Sequence, residues 1–535
     1  MRTARSAGIA LCITALAVTA CSSSGSSSGS GSQGAAVAPG GTFTFAMADD
    51  PGNLNPLKTV QTPDADLFKF LYDDLVHVAA NGAIVSGLAT SWKTTGATTV
   101  FTIRKGATCS DGSAVTPSVI AEDFAYIKNP KNGSPYIGVA VPSPDFTYQA
   151  DNAASTFTLT LAHPFDFLLQ SLAFFPIVCG KGATNPASLS ESASGSGPYT
   201  LSQAVPNNHY TLVLRKGYTW GPGGATTNVA GIPSKVVIDI VSSETTAANE
   251  MLSGELNAAV INGPDRQRLT GSGYSTQQAV NGGIDLLFNE NKSRVTSDPD
   301  VRKALTMTID RPQVSSVVTE GLSSAAGTSV SPATPLACDD SAAASSIPAY
   351  NPSAAANLLT SDGWVPGPGG IRVKNGVKLA VTAPYLNTAG GNAAAMDLVE
   401  AAWKKLGVQV TLDPVTNVDF SGIVFATGDY DVSPITDFAN PYQSTLVGLL
   451  SGPPPPTGIN AGHVDDSQYD SLSAKALETY GAAGCQLWVQ AARALYSNAD
   501  MLPVSVLITN WVVKGATFQN VGGRIIPTSI RMLAS

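Results

Sequence analysis

The chain has 535 residues, 43% of them hydrophobic and 13% charged, with a formal net charge of −9. That length exceeds one ordinary hydrophobic core, so about two or three domains are expected. The acidic balance excludes the basic face that nucleic-acid binding requires. No apolar run after Cys21 reaches the roughly 20 residues needed to span a bilayer.

At the N-terminus, Arg2 and Arg5 precede a short apolar run from Ile9 to Val18, which Thr19-Ala20-Cys21 ends. Basic, apolar and small-residue regions in that order form a secretory signal. A cysteine at the cleavage point resembles the bacterial lipobox, in which the sulfur carries a diacylglycerol, although Val18 stands where leucine is commoner. Residues 1–20 are therefore expected to leave as signal peptide, and 21–39 to form a lipidated Cys21 with a Ser/Gly tether. The tract 22–34 is almost pure serine and glycine, and such a sequence cannot bury apolar surface. An ordinary signal cut after Ala20 is the alternative. Loss of Arg2 and Arg5 takes the net charge from −9 to −11. Two acyl chains would hold the exported chain at the outer face of the cell membrane; a periplasmic location is the other expectation.

Gly41-Thr42-Phe43-Thr44-Phe45 alternates polar and apolar residues and predicts a half-buried strand. Thr98 to Arg104 and Ser155 to Leu161 predict two more, so 60–187 reads as a β-rich segment. From Val236 to Val241 the chain predicts an apolar strand, from Ser243 to Ser253 a helix ended by Gly254, and from Asn257 to Ile261 a strand. That β-α-β order predicts an α/β layer, since parallel strands need helical crossovers. Asp298-Pro299 and Asp310-Arg311-Pro312 each read as a helix start, with a capping carboxylate and a proline in the first turn. Met396, Val399, Trp403 and Leu406 recur at helical spacing before Gly407, and Val408 to Leu412 follows as a strand. The tract 453–456 reads as a rigid polyproline-like loop, and Leu502 to Ile508 as a buried strand.

Catalytic motifs are mostly missing. Gly25-Ser26-Ser27-Ser28-Gly29 matches the nucleophile-elbow pattern only by accident, because a flexible tether cannot hold a strained strand-turn-helix. No phosphate loop ending in Gly-Lys-Ser/Thr occurs. His77, His163, His209 and His463 are too dispersed for a local zinc motif. No cofactor and no metal are expected, and the chain is expected to be no enzyme.

Ser91-Trp92, the strand Phe101-Thr102-Ile103-Arg104-Lys105-Gly106, the turn Ser110-Asp111-Gly112-Ser113 and Glu122-Asp123-Phe124 read as one long signature. Gly195-Ser196-Gly197-Pro198-Tyr199, Leu252-Ser253-Gly254-Glu255-Leu256-Asn257 and Phe288-Asn289 follow in order. Asp300-Val301-Arg302-Lys303-Ala304-Leu305, Ile309-Asp310-Arg311 and Tyr350-Asn351-Pro352 continue the set, and Gly363-Trp364 closes it. The series resembles the family 5 extracellular solute-binding proteins, which include the dipeptide- and oligopeptide-binding lipoproteins of ABC importers. Cys109 stands where the family usually has an aromatic, and 117–120 reads as extra sequence before Glu122. Gly112 and Gly197 are expected to permit turn dihedrals closed to other residues. Arg302 and Asp310 are expected to make a lobe-internal ion pair or cap.

The resemblance implies an α/β, two-lobed periplasmic-binding-protein-like fold with an additional β-rich subdomain in the first lobe. Lobe I would comprise 40–59, 188–283 and 505–535, with 60–187 as its β-rich subdomain, and lobe II would cover 284–504. Cys109, Cys179, Cys338 and Cys485 suggest two disulfides in an oxidising compartment. All three connectivities are open. Cys109–Cys179 with Cys338–Cys485 is preferred, because each pair then stays within or beside one lobe; four buried thiols are the alternative.

The resemblance further implies a monomer that encloses a peptide or other small solute between its lobes and docks on ABC permease subunits in the membrane, with energy from a separate ATPase. Asp437-Phe438-Ala439-Asn440-Pro441 resembles the family segment whose aspartate holds a peptide's α-ammonium. Ile435-Thr436 replaces the usual tryptophan ahead of it. Asn440 and Tyr442 are ligand candidates by proximity, whereas Arg311 and Arg372 are available for a ligand carboxylate with nothing to select either. The same fold carrying a nickel chelate, an oligosaccharide or an antibiotic, or serving as a surface sensor, is the alternative; an exported hydrolase ranks lower.

Overall fold

Strand β1 (Thr42–Met47) carries out the alternation seen in its sequence, with Phe43 and Phe45 buried and Thr42 exposed. It opens a computed structural model that describes residues 36–38, 40–190, 192–386, 391–436 and 442–534. Cys21, Asp437 and Asn440 lie outside the described residues. Residues 37–535 cluster as one unit and 1–36 as another.

Helix α1 (Thr62–Leu71) follows β1 and leads into an antiparallel sheet. Its strands are β2 (Ala89–Thr95), β3 (Thr98–Ile103), β4 (Phe146–Asp151) and β5 (Thr156–Leu161), in the order β2-β3-β5-β4. Helix α2 (Pro117–Lys128) covers one face, and its Phe124 ring packs against Phe157 at 5.0 Å and Phe175 at 5.1 Å. The segment 117–120 forms the first turn of α2. Thr116 Oγ1 accepts from the Val119 N–H, and Pro117 takes a position where a backbone donor would be spare. The Cys109–Cys179 disulfide, with Cα atoms 5.8 Å apart, ties the turn before α2 to the end of this region.

The chain then builds the inner sheet of the first lobe from β6 (Tyr199–Val205), β7 (His209–Leu214), β8 (Lys235–Ile240) and β9 (Ala258–Val260). Between the last two runs α3 (Glu244–Ser253), capped by Ser243 and ended by Gly254 at φ +85°. β1 is parallel to both β8 and β9. Gly197 corrects an expectation, for its φ is not positive. A Cβ there would lie 2.5 Å from the Leu71 carbonyl carbon, so close backbone approach demands the glycine.

Strand β10 (Ser275–Phe288) leaves this lobe for the second. There stand α4 (Pro299–Thr306), α5 (Arg311–Val318), β11 (Ala380–Leu386), α6 (Asn392–Leu406), β12 (Gln409–Val415) and β13 (Val432–Thr436). Helices α7 (Ser467–Glu478) and α8 (Ala482–Ser497) precede β14 (Met501–Val513), which returns. Asp298 and Asp310 cap α4 and α5 as their sequences require, and α6 turns Met396, Val399, Trp403 and Leu406 inward. Residues 455–457 form a turn rather than an extended tract. The Pro454 carbonyl accepts from Thr457 and Gly458, and polyproline II has no such internal bond. Cys338 is bonded to Cys485, with Cα atoms 5.2 Å apart.

Among the described residues one mixed sheet is ordered β13-β10-β14-β9-β1-β8-β7-β6, with the long strands β10 and β14 linking β13 to the others. Two bulges interrupt their pairing. Asn281 is the extra residue on β10 and Val504 the extra residue on β14. Pro503 is tolerated in β14 because it sits at that irregularity. Bulges bend and twist a pair locally.

Arg302 on α4 fastens the second-lobe ends of both crossing strands. Its Nη2 donates to Asp500 at 2.9 Å, just before β14, and lies 3.5 Å from Glu290, just after β10. Burial and Glu290 push the Asp500 carboxyl up, while Arg302 pulls it down. Removing one member of a buried ion cluster costs roughly 3–5 kcal/mol. Arg302→Met is expected to lower unfolding stability by about that amount in urea titration; a loss under about 1 kcal/mol would refute this role.

Candidate functional site

The carboxyl ends of parallel strands are where open α/β sheets bind ligands, because the connections diverge there and leave a crevice. In this chain β1, β8 and β9 end together beside the crossing strands, and a cavity of about 440 Å³ lies there. Met47 and Asp49 follow from β1, Val241 and Glu244 from β8, and Val260 and Asn262 from β9. Asn281, Ile508 and Trp511 close it from β10 and β14.

Three carboxylates and one guanidinium face this space. Asp66 on α1 lies 3.4 Å from Arg524. Burial pushes the Asp66 carboxyl up to about 6, against the pull of Arg524. Glu244 is held by the backbone N–H groups of Asn262 at 3.1 Å and Gly263 at 2.9 Å. Asp49 is exposed. The bulge aims Asn281 here, and its buried Oδ1 has no hydrogen-bond partner among the described residues. An orphan acceptor with an excess of carboxylates suits a solute that brings donors and positive charge. Trp511 offers an aromatic wall fixed by its Nε1 donating to the Gly523 carbonyl at 2.6 Å.

Tyr442 does not line this cavity. It is buried against Phe167 with ring centroids 5.5 Å apart, and Phe167 also stacks on Trp488 at 5.8 Å. The seam joins the β-rich subdomain to α8, and Gly481 N–H donating to Asp166 at 3.0 Å reinforces it. Burial raises the pKa of the Tyr442 hydroxyl, which has no hydrogen-bond partner among the described residues. Arg311 donates to the Gly327 and Pro503 carbonyls, and Arg372 to those of Leu406 and Trp364. Both arginines thus serve the backbone. Asp437 and Asn440 follow β13, whose last residue Thr436 pairs with Ile284, three residues beyond Asn281. Among the described residues no cluster of three His, Cys, Asp or Glu is placed to hold a metal, and no helix is long and apolar enough to cross a membrane.

Asp66, Glu244, Asn262, Asn281 and Arg524 were not singled out from sequence. Each is an isolated polar residue at an element's edge, and only the end of a strand next to a helix cap hinted at Glu244.

A two-lobed fold with a polar cleft on the first-lobe side, at the carboxyl ends of its parallel strands and beside β10 and β14, is the architecture of a solute-binding protein. The profile of the bacterial extracellular solute-binding proteins, family 5 Middle, matches residues 83–456, and the chain belongs to that family. The periplasmic murein peptide-binding protein MppA of Escherichia coli (strain K12) is 27% identical over 480 residues, which cover 80% of this chain and 81% of that protein. The nickel-binding periplasmic protein of the same organism is 23% identical over 379 residues, 68% of this chain and 69% of that one. A substrate-binding protein from Microbacterium hydrocarbonoxydans, crystallised with 4-hydroxybenzoate hydrazide, superposes with a TM-score of 0.73 at 27% identity. That match covers 92% of this chain and 99% of the other.

Because the folded Asp66 pKa of about 6 exceeds the ordinary 3.8, its stability contribution is full below pH 3.8 and is lost as pH rises through about 6. Asp66→Asn is expected to flatten the fall in stability between pH 4 and 7 by roughly 1–2 kcal/mol, allowing for partial exposure. Chemical denaturation at the two pH values checks this; a parallel profile would refute it.

Proposed function

We propose that this chain captures peptides or peptide-like solutes carrying a free amine and delivers them, unchanged, to an ABC importer. The observation that carries the reading is the buried, unpartnered Asn281 Oδ1 beside Asp49, Asp66 and Glu244 at the crossing strands. A solute there would satisfy the orphan acceptor and balance the carboxylates. Closure would turn on the paired bulges at Asn281 and Val504, where the ladder is already interrupted. Kinship to a murein peptide-binding protein supports peptide cargo. The relatives named above are binding proteins, which favours capture over catalysis.

Asp437 is proposed to hold the ammonium group from the second lobe, with Asn440 beside it. An amine about 4 Å from a carboxylate gains roughly 4 kcal/mol at an effective dielectric near 20. Desolvation of both charges offsets much of this, so Asp437 would orient and select more than it would tighten. The working form is proposed to be a monomer tethered through a lipid on Cys21.

Mass spectrometry of solutes released from the purified chain identifies the cargo class; a recovered metal chelate or sugar would replace the peptide reading. With tripeptides, N-acetylation is expected to weaken binding about ten-fold, and affinity to fall as pH drops through about 6 and Asp66 protonates. In calorimetry, Asp437→Ala should abolish the preference for the free amine. An undiminished preference would remove Asp437 from the site, and a chemically converted peptide would end the transport reading. Cys21→Ala is expected to move the chain from the membrane to the soluble fraction; retention at the membrane would exclude lipid anchoring there.

A further inference from the structure

A second cavity of about 660 Å³ lies within the first lobe, between the hairpin 76–86 and the C-terminal segment 517–531. Among the described residues Arg524 alone is common to it and the cleft. Its volume falls in the range of small-molecule sites.

The charges around it are unbalanced toward positive. Lys69 Nζ and the Arg524 guanidinium both approach the Phe174 ring, at 5.3 Å and 5.8 Å from its centroid, so two cations converge on one apolar wall. Arg531 donates only to the Thr528 and Ile530 carbonyls, and no carboxylate lies within ion-pair distance of it among the described residues. Arg524 Nε lies 3.4 Å from Asp66 as an ion pair and makes no hydrogen bond among the described residues. The acidic groups nearby are already engaged. Asp73 accepts from Tyr218 at 2.6 Å, Trp220 at 3.0 Å and Ser196 at 3.0 Å. Asp74 takes Lys69 at 2.5 Å and lies 3.5 Å from His77. Phe518, Ile526 and Pro527 are among the cavity's apolar lining residues.

We propose that this chamber is a second binding site, for a carboxylate carried on an apolar body, with Arg531 and Arg524 holding the anion and Phe174 and Phe518 the hydrocarbon. Guanidinium groups with free donors pair well with carboxylates, and the apolar walls reward burial of the rest. The site shares Arg524 with the cleft but rests on Arg531 and the apolar walls, and it does not depend on the peptide reading.

Octanoate and its uncharged isostere octanamide are the probes, titrated calorimetrically into the full chain. Octanoate is expected to bind at one site, and octanamide about ten-fold more weakly or worse. Arg531→Gln is expected to weaken octanoate by about ten-fold while leaving thermal unfolding and tripeptide binding unchanged, since Arg531 is outside the cleft. Hydrogen exchange with octanoate should protect 517–531 and 76–86. The proposal is overturned if octanoate does not bind, if octanamide binds equally well, or if Arg531→Gln binds octanoate like the parent chain. Protection confined to 46–49 and 241–244 would also overturn it, by placing the probe in the cleft.

Discussion

The pairing of β10 with β14 is the constraint on which the two-lobed arrangement rests. Among the described residues they are the neighbouring strands that link β13 to β9 and the rest of the mixed sheet. Their ladder must be continuous enough to hold the lobes together and interrupted enough to bend. A bulge on each strand, at Asn281 and Val504, meets both demands within a few residues. Beyond the bulges Arg302 clamps the strand ends through Asp500 and Glu290. The same bulge that bends β10 also delivers Asn281 to the cleft, so the bending point and a polar contact coincide.

That placement explains the chemistry of the cleft. Parallel strands β1, β8 and β9 end on one side and leave backbone donors that Glu244 accepts. Asp66 and Arg524 form a loose pair rather than a bonded one, and burial keeps the Asp66 proton unusually tightly held. A pair of this kind is more easily reorganised by an incoming charge than a bidentate one. The seam of Phe167, Tyr442 and Trp488 lies away from this space, and its burial fastens the subdomain to the second lobe.

Local signals in the chain were read with good fidelity where one residue type has one physical job. Asp298 and Asp310 announced caps, Gly254 and Gly407 announced helix ends, and Met396 to Leu406 showed a buried helical stripe. Reading failed where the cause was distant. β10 passed unnoticed because Gly282-Gly283 and the polar run 275–278 hide its period, yet β14 pairs with it along its length. β14 was cut short at Ile508 because Thr509 and Asn510 are polar; Asn510 nonetheless stays in the strand by donating to the Ile261 carbonyl at 2.8 Å. Gly197 looked like a turn glycine, while its real constraint is the Leu71 backbone, well over a hundred residues earlier.

The sequence by itself determined the class of fold, the family and the local starts and stops, because caps, turns and apolar periods act between near neighbours. Only the tertiary structure decided which polar residues share a space. Asp66, Glu244, Asn281 and Arg524 come from four separate stretches, and no pattern along the chain links them. What brings them together is the convergence of the ends of β1, β8 and β9 beside β10 and β14, a property of long-range pairing that a linear text does not carry.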